Sequence, residues 1–206
     1  MRRPSVRAAI SAALLIALSA GLEAAPQGAT TKAAPQAAKK APPRVNASAA
    51  AIQEFLKQVD GYVALHKKLE GTLPPLPKQT TPQQIDGHQR ALATLIQEAR
   101  KEGKPGDLLT PAMQQRIRNL LRPVFAGKEG LQIKNEILDN EYKGNVKLVI
   151  NGRYPDEIPV STMPPQVLKA LPKLPEELEY RFILNNLILF DTHAHIIADY
   201  MERAFN

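Results

Sequence analysis

The sequence predicts an α+β protein in which an N-terminal helical lobe of three to four helices feeds a small C-terminal antiparallel β-sheet of about four strands. Three observations carry this prediction. Beyond residue 50, apolar residues recur at spacings of three and four, the period of amphipathic helices. Two Thr-Pro pairs, Thr81-Pro82 and Thr110-Pro111, open such patterns with a capping hydroxyl and a proline suited to the first helical position. Beyond Asn145 the chain shifts to β-branched and aromatic residues in short runs broken by Asn, Gly and Pro.

Residues 1–24 read as a secretory signal peptide. Arg2, Arg3 and Arg7 lead into an apolar run from Ala8 to Leu18, and small residues follow. A permanent membrane span needs ~20 apolar residues. This run is shorter, so no stable span is expected once the signal is removed, at about Ala24. Residues 25–50 are rich in Ala, Pro and Lys, with Val45 as their one large apolar residue, and are expected to form a disordered linker. The chain has no Cys, so neither a disulfide nor a lipid-bearing cysteine is expected. These features together place the protein in the periplasm or outside the cell.

Of the formal net charge of +7, residues 1–24 contribute +2 and residues 25–50 contribute +4, which leaves +1 for residues 51–206. A nearly neutral folded part without interleaved aromatic and basic residues argues against a nucleic-acid partner. An envelope protein or a cell-wall polymer is the expected class of partner.

The folded part divides into a helical lobe, residues 51–142, and a β module, residues 143–206, as two lobes or one domain. In the first helix, residues 51–69, Ile52, Phe55, Val59, Tyr62, Val63 and His66 share one stripe. Glu70-Gly71 ends it, and Leu73 to Lys78 (LPPLPK) makes an extended connector. Thr81 then caps a second helix reaching Glu102, with Gln84 placed to complete a capping box. Thr110 opens a third helix, which Pro123 kinks or ends. Leu131, Ile133, Ile137 and Leu138 fit a short fourth helix in residues 128–141.

Val146 to Asn151 (VKLVIN) reads as a first strand, and four prolines from Pro155 to Pro165 force an irregular crossing. Pro165 to Leu171 makes two helical turns. Three strands follow: Glu179–Leu184, Leu187–Asp191 and Ile196–Met201. A two-residue turn at Asn185-Asn186 would set Leu184 against Leu187, Phe182 against Leu189 and Tyr180 against Asp191. Arg181, Ile183, Ile188 and Phe190 would occupy the other face. Both faces are partly apolar, so helices should cover one and the proline crossing or a partner the other.

Candidate chemistry concentrates in Asp191-Thr192-His193-Ala194-His195. Were the strand to continue, its alternation would put Asp191, His193 and His195 on one face, a spacing that suits metal ligands. The five residues resemble the DTHAH signature of the amidohydrolase superfamily, which implies a metal on the His193 and His195 pair. That family's barrel needs ~200 residues, and the 11 residues after His195 hold no further His or Lys. No such barrel is expected, and the segment reads most simply as a polar turn between strands.

His66 and His88, each on a predicted helix, read as rim or solvent-facing residues. Ser48 and Ser161 lack the turn of a catalytic nucleophile, and no glycine-rich phosphate loop follows a strand. Glu176, Glu177 and Glu179 read as a solvated turn rather than an acid–base pair. No catalytic residue, cofactor or metal site is therefore assigned.

The stretch from Met163 to Tyr200, with its LPKLPEELEYR lead-in, hairpin and closing IIAD, resembles the C-terminal module of uncharacterised exported bacterial proteins. It is more distantly similar to the hairpin module of periplasmic nickel and cobalt homeostasis proteins. The resemblance implies an envelope location and a small β module. The expected function is that of a non-enzymatic exported binding or scaffold protein. The alternatives are a periplasmic metal-handling protein using Asp191, His193 and His195, and a cell-wall hydrolase.

Overall fold

Asn46 caps the first described helix: its side chain accepts the Ser48 N–H at 3.1 Å, and α1 runs through Ala47–Glu70. The structure, a computed structural model, describes residues 46–138, 146–158 and 163–205. The expected signal peptide and most of the expected linker lie outside these residues. The last residues assigned to the linker, 47–50, instead extend α1, because the Ala-rich stretch there is made of strong helix formers.

The second helix, α2 (Pro82–Ala99), carries the full capping box, with Thr81 and Gln84 bonding reciprocally. The third, α3 (Pro111–Val124), is capped by Thr110 and tolerates Pro123 one residue from its end. The next helix, α4 (Gly127–Leu138), turns back tightly. A Cβ on Gly130 would stand 2.2 Å from the Phe125 carbonyl carbon, so only glycine fits there. The short α5 (Pro165–Ala170) precedes the sheet. Among the described residues no helix is long and apolar enough to cross a membrane.

The sheet has three antiparallel strands in chain order, β1 (Leu178–Ile183), β2 (Asn186–Asp191) and β3 (Ile196–Met201). The α+β class and helical lobe hold, but the first expected strand does not form. Val146 to Ile150 carry no ladder, and the backbone of this segment bonds to the sheet only from Asn151 to Tyr154, around one bridge between Arg153 and Ile196. Asn151 adopts φ +57 there, which breaks the extended run while its N–H reaches the Ile197 carbonyl at 2.8 Å.

The hairpin turns one residue earlier than expected, at Leu184-Asn185. Its register sets Ile183 against Asn186, Phe182 against Leu187, Tyr180 against Leu189 and Leu178 against Asp191. The C-terminal segment holds this turn in place. Ala204 N–H reaches the Asn185 carbonyl at 2.8 Å, and Arg203 N–H reaches Asn186 Oδ1 at 3.1 Å. Moving the turn by one residue shifts each pairing by two, so the paired side chains keep their expected faces, while Leu184, expected opposite Leu187, moves into the turn and is exposed.

One face, with Leu178, Tyr180, Phe182, Leu187 and Leu189, joins the helices in the main core. Phe55 and Val59 of α1, Leu92 and Ile96 of α2, and Ile117 and Leu121 of α3 are fully buried against it. Each such side chain stabilises by roughly 2 kcal/mol. The other face, with Ile183, Ile188 and Phe190, is closed by Tyr154 and Ile158 of the proline crossing. A bulge in the β2–β3 pairing turns both Ala198 and Asp199 toward the helical side. There the buried Asp199 carboxylate accepts the N–H groups of Gly106, Leu108, Leu109 and Tyr200 at 2.7 to 2.9 Å, which fastens the α2–α3 loop to β3.

Candidate metal centre

Asp191 ends β2, and its side chain sets the path of the chain into β3. Asp191 Oδ1 accepts the backbone N–H groups of His193 at 3.1 Å and Ala194 at 2.8 Å, so the chain curls around the carboxylate. His195 completes the curl with φ +54. Alternation stops at Asp191, and the expected common face of Asp191, His193 and His195 is not formed. His195 packs edge-on against Tyr154 and Phe190, in the second core, with Nε2 3.9 Å from Asp156. His193 lies on the opposite side, over α1.

Asp191 itself faces α1. Tyr62, His66 and Glu70 sit four residues apart on that helix and so form one line along its inner face. Asp191 Oδ2 accepts the Tyr62 hydroxyl at 2.6 Å and lies 2.7 Å from His66 Nδ1. A carboxylate offers acceptors only, so His66 Nδ1 carries the hydrogen and donates, which leaves the neutral ring's lone pair on Nε2. That nitrogen is buried without a hydrogen-bond partner among the described residues, 3.4 Å from Glu70 Oε2. Glu70 Oε1 in turn lies 3.0 Å from His193 Nδ1, and the two imidazoles meet edge-on at 5.3 Å.

A ring lone pair pointed at a carboxylate requires a cation between them. The cation is either a proton on Nε2 or a metal ion. Two ligands on a tetrahedral zinc, each roughly 2.1 Å from it, stand about 3.4 Å apart. The His66–Glu70 separation matches this spacing but is long for a hydrogen bond, whose usual range is about 2.7 to 3.2 Å. One donor atom each from His66, Glu70 and His193 falls within 4.8 Å of the others. Asp191 stands behind His66 as the outer carboxylate that fixes a metal-binding imidazole's tautomer and orientation.

The charges around the cluster favour a positive charge at this point, which a proton on His66 or a metal ion would each supply. Burial alone would lower the His66 pKa, but the hydrogen bond and charge of Asp191, with Glu70 and Glu177 adding, raise it overall. Burial and the Asp191 charge push the Tyr62 phenol well above its ordinary value, so it remains a donor. Arg100 lies over the Tyr62 ring at 5.0 Å. Glu177 is buried, contrary to the solvated turn expected for it: Lys67 Nζ holds Oε1 at 2.7 Å, and Oε2 has no hydrogen-bond partner among the described residues. Burial raises the Glu177 carboxyl, but Lys67 outweighs it and lowers the pKa.

Glu70 also lines an open cavity of about 570 Å³, together with Lys67, Leu73, Pro75, Leu76 and His88. Leu73, Pro75 and Leu76 of the LPPLPK connector thus wall a cavity that meets the cluster at Glu70. His88 is half-buried there, while His66, expected at a rim, is fully buried. Glu179 pairs with Arg181, Ser48 contributes its backbone N–H to the α1 cap, and Ser161 lies outside the described residues.

Fold and site together define an α+β domain whose first helix and β2–β3 turn present two imidazoles and a carboxylate to one point. No family model, curated protein or solved structure matches the chain.

Proposed function

We propose that this is an exported, metal-binding protein of the cell envelope, in which His66, Glu70 and His193 hold a divalent transition metal ion. The observation that carries the reading is the buried His66 Nε2, without a hydrogen-bond partner among the described residues and 3.4 Å from Glu70, while Asp191 holds Nδ1 at 2.7 Å. Imidazole and carboxylate donors in this number suit zinc, nickel or cobalt. The signal-like residues 1–24 and the resemblance of the Met163–Tyr200 stretch to exported modules support the location. The metal-handling alternative thus moves to the front with a different ligand set: His66 and Glu70 replace Asp191 and His195 beside His193.

Zinc or nickel should raise the melting temperature of the protein, by mass action on the folded state. At a concentration of 100 times Kd the stabilisation is about 2.7 kcal/mol. Glu70→Gln and His193→Ala alter partly exposed positions that the core does not need, and each should remove most of the rise. An unchanged melting temperature with every metal, or an equal rise in both variants, would sink the reading.

One observation favours a second reading, hydrolysis of cell-wall material. Three protein ligands leave a tetrahedral ion one open position, the arrangement of catalytic zinc, and Glu70 borders a cavity through which a substrate would reach it. Zinc-loaded protein that cleaves none of a panel of peptidoglycan fragments would close this option.

A further inference from the structure

A separate cavity of about 540 Å³ lies between α5, the Pro172–Leu174 segment and β1. Its wall is apolar, formed by Met163, Leu168, Pro172, Leu174 and Leu178. Leu168 is 49% exposed at this wall, a large aliphatic side chain left uncovered. Small-molecule sites typically run from about 300 to 1,000 Å³ and combine such walls with a few polar groups.

Five polar side chains line it, Tyr180, Lys169, Lys173, Glu179 and Arg181. Tyr180 lines the cavity and is 4% exposed, and its hydroxyl has no hydrogen-bond partner among the described residues. A buried hydroxyl left unpaired costs roughly 1–3 kcal/mol. Burial pushes its pKa far up, so it is a permanent donor. Lys169 and Lys173 also line the cavity; both are solvent-accessible and neither makes an ion pair among the described residues. Arg181 and Glu179, the remaining charges, pair with each other. The cavity therefore presents an apolar body, one unpaired donor and two uncompensated positive charges.

We infer that this cavity binds an amphipathic monocarboxylate of the fatty-acid class, its chain on the apolar wall and its carboxylate met by Tyr180, Lys169 and Lys173. A neutral lipid would leave the lysines unmatched. A metal would find no ligand set, because the one lining carboxylate, Glu179, is engaged by Arg181. None of these residues belongs to the His66–Glu70–His193 cluster, so the inference stands independently of metal binding.

The test is fluorescence titration of the full mature chain with cis-parinaric acid, followed by displacement with palmitate, hexadecanol and a zwitterionic lysophospholipid. Saturable binding is expected, with palmitate displacing the probe at concentrations at least tenfold below either competitor. Lys169→Gln combined with Lys173→Gln, both at solvent-exposed positions, should weaken palmitate about tenfold, the scale of a lost charge-assisted contact, with the melting temperature of the ligand-free protein unchanged. Tyr180→Phe should weaken it several-fold while leaving the melting temperature of the ligand-free protein unchanged or higher, since an unpaired hydroxyl is removed. Absence of saturable binding, equal displacement by hexadecanol, preference for the lysophospholipid, or full affinity in the double lysine variant would each overturn the inference.

Discussion

His66 Nδ1 stands 2.7 Å from Asp191 Oδ2 in the protein interior, although 125 residues separate the two in sequence. The pair fastens α1 to the β2–β3 turn and orients the ring nitrogen that faces Glu70. It is therefore at once a tertiary joint and the outer support of the proposed metal ligand.

Asp191→Asn tests both roles. The amide oxygen can still accept the His193 and Ala194 N–H groups, so the turn survives, but the charge behind His66 is lost. Metal affinity should fall roughly 10- to 100-fold, as for other carboxylates that support a metal-binding imidazole. Apo stability should fall by about 3–5 kcal/mol, the cost of breaking a buried charged pair. Urea unfolding in chelator and zinc titration at fixed pH measure the two effects.

His195 should carry no share of metal binding but a share of acid sensitivity. Its pKa is lowered, first by burial and then by the charge of Arg153, with Asp156 and Asp86 opposing. A histidine whose folded pKa lies below the unfolded value, ~6.5, takes up its proton more readily when unfolded. Its contribution is thus complete above that pH and lost as pH falls toward the folded value. His195→Asn keeps a residue that accepts φ +54 and removes the titration. Melting curves in chelator should show a shallower loss on acidification for the variant, and zinc titration an unchanged affinity.

The fold class was legible because its signals are local. The capping box at Thr81 and Gln84, the Thr110 cap and the apolar stripes each depend on residues a few positions apart. Even the two sheet faces could be assigned, since a turn displaced by one residue preserves their parity. The failures have equally definite causes. Val146 to Ile150 pair with no strand and Asn151 takes φ +57, so the expected strand does not form, and Asp191 gathers two N–H groups and stops the alternation that would align His193 with His195. The cluster did leave a signal, a titratable residue inside the apolar stripe of α1 with Tyr62 and Glu70 four residues to either side. Its partner in the β2–β3 turn is set by tertiary packing, which spacing along the chain does not encode.

Leu184 occupies the hairpin turn with φ +55, a conformation that costs a branched L-residue roughly 1–2 kcal/mol. Leu184→Asn should raise stability by about 0.5–1 kcal/mol, because Asn tolerates this region and little packing is lost at a site 36% exposed. A higher urea midpoint with an unchanged slope is the expected result.

Asp199→Ala should have the opposite effect. It would leave the N–H groups of Gly106, Leu108 and Leu109 without their acceptor. Each buried unpaired group costs about 1–3 kcal/mol, so a total loss of about 3 kcal/mol or more is expected in the urea unfolding free energy. Hydrogen exchange should accelerate first at those three amides.

X-ray absorption on the untagged, zinc-loaded protein, with loading followed by calorimetry, tests the proposed metal centre most directly. One zinc per chain is predicted, with two imidazole nitrogens and a carboxylate oxygen at about 2.0–2.2 Å, and with affinity lost in Glu70→Gln and in His193→Ala. Zinc that binds without saturation, is surrounded by water oxygens alone, or binds both variants as tightly as the parent would contradict it.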